Sequence, residues 1–324
     1  MVNNNLSIAN QELLKKSKRK TLLKNLKRGI PFYLMLLLPM IWYVIFCYIP
    51  MGGLIIAFKD YNLADGFFKS PWHPEGVFYN FKYFLTYPYF WKVFKNTIIL
   101  GTVNTLICFP APILLALFFN ELKQGPFKKM VQTISYLPYF VSTIALLAIV
   151  MVMFANDGLV NYIIRKYGGD GKVFLSDPKS ILPIYVLLNL WRSLGWGTII
   201  YTSAMSNISP EIYEAADIDG AGRFAKIFKI TLPMILPTII IMFILAAPGL
   251  ITADFETLFL LGNEATSSTA DVISTWLYRL SFNAIGLPDY SLSTAVGLFQ
   301  SVLNLIVVLI VNTIANKVSK VGLF

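Results

Sequence analysis

The chain has 324 residues, 56% of them apolar and only 14% charged, with a net charge of +10, 15% aromatic residues and a mean hydropathy of +0.64. Soluble domains carry about 25% charged residues, so these values exclude a disordered, collagen-like or disulfide-knitted chain and argue against an ordinary soluble fold. An all-α polytopic membrane protein is expected. Cys47 and Cys108 lie in apolar runs, and with one histidine, His73, they make a Cys/His metal site improbable.

The segment 1–29 opens with a basic run, Lys15, Lys16, Lys18, Arg19, Lys20, Lys24, Lys27 and Arg28. It reads as a topology anchor ahead of the first span, rather than a specific lipid or partner site. A spanning helix needs about 20 mostly apolar residues. Six stretches qualify: Ile30–Phe58, Asn96–Phe119, Val131–Phe154, Ile181–Met205, Met234–Ala253 and Ser291–Ala315. They form one membrane domain, 30–315, followed by a short tail, 316–324. The first stretch is too long for a signal-peptide core. An open sheet would leave edge groups unsatisfied in lipid, and the ten-residue alternation of a barrel is absent.

Orientation follows from charge. With the N-terminus inside, the inner segments carry a net +10, the outer segments −1, and Arg192 is left within a span. Positive-inside therefore predicts both termini in the cytoplasm. The basicity belongs to topology and lipid headgroups, and no nucleic-acid surface is expected. The aromatic-rich stretch 78–95 reads as an amphipathic segment at the outer interface, in preference to a sugar-stacking surface. Gly168-Gly169-Asp170-Gly171-Lys172 lacks the spacing of a phosphate loop and reads as a turn.

The inner loop 206–233 is the most informative segment. Ser209 reads as an N-cap, Pro210 as the first helical residue, Glu211 as an acid at the positive helix end, and Gly220 as a positive-φ terminator. A second short helix carrying Phe224 and Phe228 is predicted to end at Ile230, with Pro233 marking entry into the fifth span. Glu214-Ala215-Ala216, Gly220, Ile230 and Leu232-Pro233 stand at the spacing of the EAA loop of ABC-importer permeases. The chain therefore resembles that family.

Other stretches narrow the resemblance. Tyr48-Ile49-Pro50-Met51 with Ala57-Phe58-Lys59-Asp60-Tyr61 is similar to the first-span exit of oligosaccharide and polysaccharide permeases. Asn80-Phe81, Phe90-Trp91, Asn96-Thr97 and Trp191-Arg192-x-x-Gly195 resemble sugar importers of the maltose type. The resemblance implies an inner-membrane subunit of a bacterial importer that works with a second homologous permease, two cytoplasmic ATPases and an external solute-binding protein. Oligosaccharide is the implied cargo, and another polar solute such as glycerol phosphate or a peptide is the alternative. It also implies that Glu214, Ala215, Ala216, Gly220, Ile230, Leu232 and Pro233 couple transport to the ATPases. ATP and Mg would bind those partners, and no cofactor is expected on this chain. A membrane enzyme or ion-coupled carrier would want ionisable groups converging inside the spans, and Arg192 alone lies mid-span.

Polar residues in three spans recur at i, i+4, i+7 and i+11. They are Thr97, Gly101, Asn104 and Cys108; Tyr185, Asn189, Arg192 and Trp196; and Ser293, Gly297, Gln300 and Asn304. Each set shares one helical face. Two readings stay open: a substrate pathway through Asn104, Tyr185, Asn189, Arg192, Trp196, Gln300 and Asn304, or polar packing between helices.

Overall fold

Alternating apolar runs and proline- or glycine-marked breaks produce helices throughout the computed structural model, which describes residues 29–282 and 288–323. Among those residues the sole β feature is an isolated bridge between Lys59 and Trp72. The basic run before residue 29 lies outside the described residues. Five helices are long and apolar enough to cross a membrane: Gly29–Phe58, Pro88–Glu121, Thr143–Lys166, Arg223–Leu250 and Tyr290–Ser319.

Two compact units are distinguished. One comprises 29–56 with 62–70 among the described residues, the other 57–61 with 71–323. The first unit holds most of α1 (Gly29–Phe58), 30 residues or about 45 Å of helix, enough for a hydrocarbon core of about 30 Å. Its apolar side chains, Phe32, Leu38 and Phe46 among them, are exposed, as befits a helix whose solvent is lipid. A π-turn, Val44–Tyr48, precedes Pro50. A short helix α2 (Gly66–Lys69) follows, closed by Ser70, whose hydroxyl donates to the Gly66 carbonyl at 2.7 Å.

The second unit is a helical bundle. It runs through α3 (Tyr79–Thr86), α4 (Pro88–Cys108), α5 (Pro110–Glu121), α6 (Pro126–Tyr136), α7 (Thr143–Phe154), α8 (Leu159–Lys166) and α9 (Pro178–Ser206). It continues with α10 (Pro210–Ile218), α11 (Arg223–Leu250), α12 (Phe255–Leu261), α13 (Ser267–Ala270), α14 (Ile273–Phe282) and α15 (Tyr290–Ser319). The core divides into three clusters. Leu100, Leu146, Ile184, Tyr185 and Leu258 join α4, α7, α9 and α12. Phe84, Phe90, Trp276 and Val296 join α3, α4, α14 and α15, and Ala116, Tyr201, Met205 and Ile235 join α5, α9 and α11.

Three sequence expectations are corrected here. The expected span Val131–Phe154 is interrupted: α6 tightens into a 3₁₀ turn, Leu137–Phe140, and α7 begins afresh after Ser142. Pro138 cannot continue the hydrogen-bond ladder, and the Ser142 hydroxyl accepts from the Ala145 N–H as an N-cap. Next, the aromatic stretch 78–95 is partly core rather than wholly interfacial. Phe84 and Phe90 are fully buried against Phe299, while Phe78 and Trp91 stay exposed. Lastly, α11 is continuous from Arg223 to Leu250, so Pro233 does not separate a short helix from a span. A π-turn, Ile227–Thr231, precedes that proline, just as another precedes Pro50. Widening the helix by one residue makes room for a ring that would otherwise press on the carbonyl a turn earlier.

The glycine-rich segment 168–172 is a turn, with Gly168 at φ +83°. Buried Asn161 pins it by donating to the Ala155 and Lys172 carbonyls and accepting from the Lys172 N–H at 2.8 Å. Lys172 then pairs with Asp177 at 2.6 Å, and Asp177 caps α9. The Lys172 ammonium and Ser180 hydroxyl hold the Asp177 carboxyl at about 2, below the usual carboxylate range.

α9 is the bundle's axis. It is 29 residues long, about 43 Å, but its polar residues make it less apolar than the five spans above. Gly195 lets α6 cross it closely, because a Cβ there would overlap the Ser135 carbonyl oxygen. Gly195→Val should destabilise the fold by about 1–3 kcal/mol through overpacking. Gly222→Ala, in open space at a backbone any residue adopts, should change it by less than about 0.5 kcal/mol. Thermal melting of the detergent-purified variants checks both, and equal melting temperatures would mean that the crossing does not require glycine.

Candidate functional site

The segment between α9 and α11 is a rigid knuckle. Ser209 occupies the N-cap position of α10 with an extended backbone, but its side chain makes no capping bond, contrary to the sequence reading. Pro210 has no N–H to offer, and the Ile212 N–H bonds the Ser209 carbonyl at 3.2 Å instead. Glu211 stands in the first turn, where the helix end is positive. At the other end, the Ala221 N–H reaches the Ala216 carbonyl at 2.9 Å and the Gly220 N–H reaches Asp217 at 3.1 Å. This pair of bonds is a Schellman termination, and it requires the left-handed conformation that Gly220 adopts at φ +73°.

Two contacts tie the knuckle to α11. The Tyr213 and Thr231 hydroxyls share a hydrogen bond of 2.9 Å, and Lys226 pairs with Asp217 at 2.5 Å. Thr231 is buried at the end of the π-turn, so α10 is anchored where α11 is locally unwound. Glu214 and Ala215 are exposed, Ala216 is half-buried, and Glu214 has no hydrogen-bond or ion-pair partner among the described residues. Ile230 and Leu232 are half-buried and Pro233 is exposed, all within or just after the π-turn. Three large apolar side chains stand in the open around the knuckle: Ile218 at 87%, Phe224 at 77% and Phe228 at 65% exposure. A rigid helix flanked by uncovered apolar groups and a free carboxylate is equipped to seat a protein partner.

The three polar faces part company. Two of them meet where α4 packs on α9, but much of what meets is packing. Thr97 is buried and its hydroxyl accepts from the Ile273 N–H at 2.9 Å, while Gly101 lies against the Thr252 carbonyl. Tyr185 is buried, and its hydroxyl accepts from the Asp254 N–H at 2.9 Å. Asn104 accepts from the Cys108 thiol, and the Asn189 amide donates to the Tyr185 carbonyl. Beyond these bonds the α9 face opens. Arg192, half-buried, has no hydrogen-bond or ion-pair partner among the described residues. One turn on, Trp196 stacks on Tyr139 with centroids 4.5 Å apart and planes 5° apart, and Phe140 meets it edge-on.

The third face lies on α15, which packs against α3, α11 and α14. Gln300 is half-buried there, and the Asn304 side-chain oxygen is buried with no hydrogen-bond partner. No hydrogen bond brings either residue to Arg192 or Trp196 among the described residues.

Residues 108–320 match the family described as the binding-protein-dependent transport system inner membrane component. The chain belongs to this family. It is a multi-pass membrane subunit of the ABC-transporter sugar permease type and not itself an enzyme. The permease is 41% identical over 300 residues to protein LplB of Bacillus subtilis (strain 168), covering 92% of each chain. It is 38% identical over 313 residues to the polygalacturonan/rhamnogalacturonan transport system permease protein YteP of the same organism, covering 96% of each. It superposes at a TM-score of 0.83 and 37% identity on a chain of a bacterial ABC transporter that imports the acidic polysaccharide alginate, covering 92% of this chain and 99% of that one.

Sequence reasoning did not reach Tyr139 and Phe140 or the Tyr213–Thr231 bond. The signal for the first was Leu137-Pro138 followed by Ser142, a helix stop and restart inside an apolar run. Nothing in the spacing marked the second. It also missed a polar cluster on α14, where buried Asp271 accepts from the Tyr89 and Thr275 hydroxyls and from the Arg279 guanidinium.

Because Gly220 has empty space around its Cβ position, only backbone strain limits substitution there. Asn tolerates the left-handed region and should preserve the permease's knuckle, whereas Val should cost about 1–2 kcal/mol locally. Hydrogen exchange at the Ala221 amide reads the difference, and it should accelerate about tenfold or more in Gly220→Val alone. Equal protection in both variants would remove the termination motif from the account.

Proposed function

We propose that the permease is one of two membrane subunits of an ATP-driven bacterial importer of oligosaccharides, working by alternating access in the inner membrane. Its six spans are the five apolar helices and α9, with both termini and the knuckle in the cytoplasm. Two ATPase subunits bind ATP and Mg and close on each other. A solute-binding protein delivers cargo from outside, and a second homologous permease completes the pathway. What the relatives transport supports this reading. One names polygalacturonan and rhamnogalacturonan transport, and another chain of the alginate type was solved with an alginate-loaded periplasmic protein.

The observation that carries the reading is the Schellman-terminated helix α10, with Glu214 free at its surface and its base bonded to the π-turn of α11. ATPase closure is a displacement of a few ångströms that must reach the spans. A flexible loop would absorb it, whereas a short helix cross-linked at Asp217–Lys226 and Tyr213–Thr231 passes it on. Ala215 and Ala216 keep the helix slim enough for close approach, and Glu214 pairs with a basic group of the ATPase. Ile218, Phe224 and Phe228 lose their exposure to water on docking. The π-turn carrying Ile230, with Leu232 and Pro233 beyond it, gives α11 a compliant point at which the stroke enters the membrane.

Along the pathway, Asn104, Asn189, Arg192, Trp196, Gln300 and Asn304 offer amides, a guanidinium and an aromatic ring to sugar hydroxyls and ring faces. Tyr185 supports that face from the core.

Glu214→Lys and Gly220→Pro should insert normally but lower ATP-dependent uptake by about tenfold or more, within the range of an allosteric coupling energy of 1–3 kcal/mol. ATPase co-purification should fall with it. Wild-type uptake and assembly in both variants would exclude α10 as the coupling element.

A further inference from the structure

α14 has two faces with different fates. Ile273 and Trp276 enter the core beside Val296, while Ser274, Leu277, Tyr278, Ser281 and Phe282 recur at i, i+3, i+4, i+7 and i+8 along the other side. That second side, with Phe255 of α12 and Ser293 and Thr294 of α15, lines an open cavity of about 390 Å³. Pockets that hold small ligands measure about 300–1,000 Å³ and have a mainly apolar lining with a few placed polar groups.

The walls combine two chemistries. Four rings form a row: the Phe259 centroid lies 5.2 Å from that of Phe255 and 4.8 Å from that of Tyr278, which lies 5.4 Å from Phe282. Phe282 ends the row with 73% of its surface exposed. Beside the rings stand hydroxyls with unused capacity. The Ser274 Oγ is buried without a hydrogen-bond partner, and the Tyr278 and Ser281 hydroxyls bond to nothing among the described residues. The Ser293 and Thr294 hydroxyls both donate to the Tyr290 carbonyl, at 3.1 and 2.7 Å, which leaves their oxygens as acceptors. No charged side chain is among the described residues that line the cavity.

A buried hydroxyl without a partner is costly to a fold, so Ser274 calls for a guest that supplies one. A lipid chain would cover the rings and leave the hydroxyls unmet. A sugar ring meets both needs: its C–H face lies on an aromatic ring, and each of its hydroxyls donates and accepts. Position agrees. Ser293 is also the first member of the polar face Ser293, Gly297, Gln300 and Asn304, and the Asn304 side-chain oxygen is another buried acceptor without a partner. In the orientation proposed above, the cavity stands at the outer end of that face.

We propose that this cavity is an entry subsite for one sugar ring of the incoming oligosaccharide, held through its hydroxyls and C–H face by neutral groups alone. This rests on the oligosaccharide-importer reading and adds to it a site on helices other than the one that carries Arg192 and Trp196.

The test uses the complete transporter, with its second permease, ATPases and binding protein, in proteoliposomes. Short neutral oligosaccharides and short oligouronates are offered as separate labelled pools, and the pool that wild type imports serves as cargo. Ser274→Ala and Phe282→Ala should each raise the half-saturating cargo concentration at least about threefold. Ser274→Ala should melt no lower than wild type, because it removes an unpaired hydroxyl from the fold. In Ser281→Cys, labelling from outside by a membrane-impermeant maleimide should slow at least about threefold with cargo-loaded binding protein, and not with the empty protein. Wild type is the blank for Cys47 and Cys108. Wild-type half-saturation in both alanine variants would overturn the subsite and leave the importer standing. Labelling that cargo does not slow would do the same. Equal slowing by loaded and empty binding protein would show that the protein itself covers the cavity, with the same consequence. No ATP-dependent uptake of either pool by wild type would instead bring down the oligosaccharide reading on which the proposal rests.

Discussion

In hydrocarbon a backbone N–H or C=O has no water to turn to, and the rest of this structure depends on how that constraint is met wherever the helices break. There are two conspicuous breaks among the described residues of the second unit. The turn 137–140 lies against α9, where Gly195 lets the Ser135 carbonyl come close. The stretch after α11, from the 3₁₀ turn Ala247–Leu250 to Asp254, lies against α4 and α9. There the Thr102 hydroxyl donates to the Leu250 carbonyl at 2.7 Å, and the Tyr185 hydroxyl accepts from the Asp254 N–H. Each break is covered by a long unbroken helix whose polar or missing side chains fit it. This explains why α9 is the least apolar of the long helices and yet sits in the middle of the packing.

The same constraint bears on the prolines. Pro50 and Pro233 both interrupt long apolar helices, and both follow a π-turn by two residues. A full break would strand several backbone groups in lipid, whereas a π-turn accommodates the ring with the helix intact. At Pro233 the local unwinding coincides with the Tyr213–Thr231 bond, so the knuckle is bonded to α11 at its π-turn.

Much of this was legible in the residues. Apolar length marked the membrane helices, because a 20-residue run without charge has few other fates. The loop motif marked the knuckle, and Gly220 was readable as a positive-φ terminator because a helix that stops at glycine has a preferred geometry. What was not legible depended on tertiary partners. Pro233 read as a boundary because proline propensity is a local rule, and the π-turn that overrides it is chosen by packing. The apolar run 131–154 read as one span because hydropathy does not register Pro138 and Ser142. The aromatic stretch 78–95 read as interfacial, since nothing in composition says that Phe84 and Phe90 will meet Phe299 more than two hundred residues away. Spacing alone placed Tyr185 beside Arg192 on one face. Burial then separated them, putting the first in the core and leaving the second half-buried.

That separation is informative about how one helix serves two purposes. Along α9, the side chains that hold the bundle together spend their polar groups on each other: Tyr185 on Asp254, Asn189 on the Tyr185 carbonyl, Ser193 on the Asn189 carbonyl at 2.7 Å, and Thr198 on Gly195 at 2.6 Å. Arg192 takes no part in this chain of bonds, although a guanidinium carries five donors and usually finds acceptors when it is buried. Arg192, half-buried at the midpoint of the same helix, therefore stands apart from the bonding that holds the bundle together.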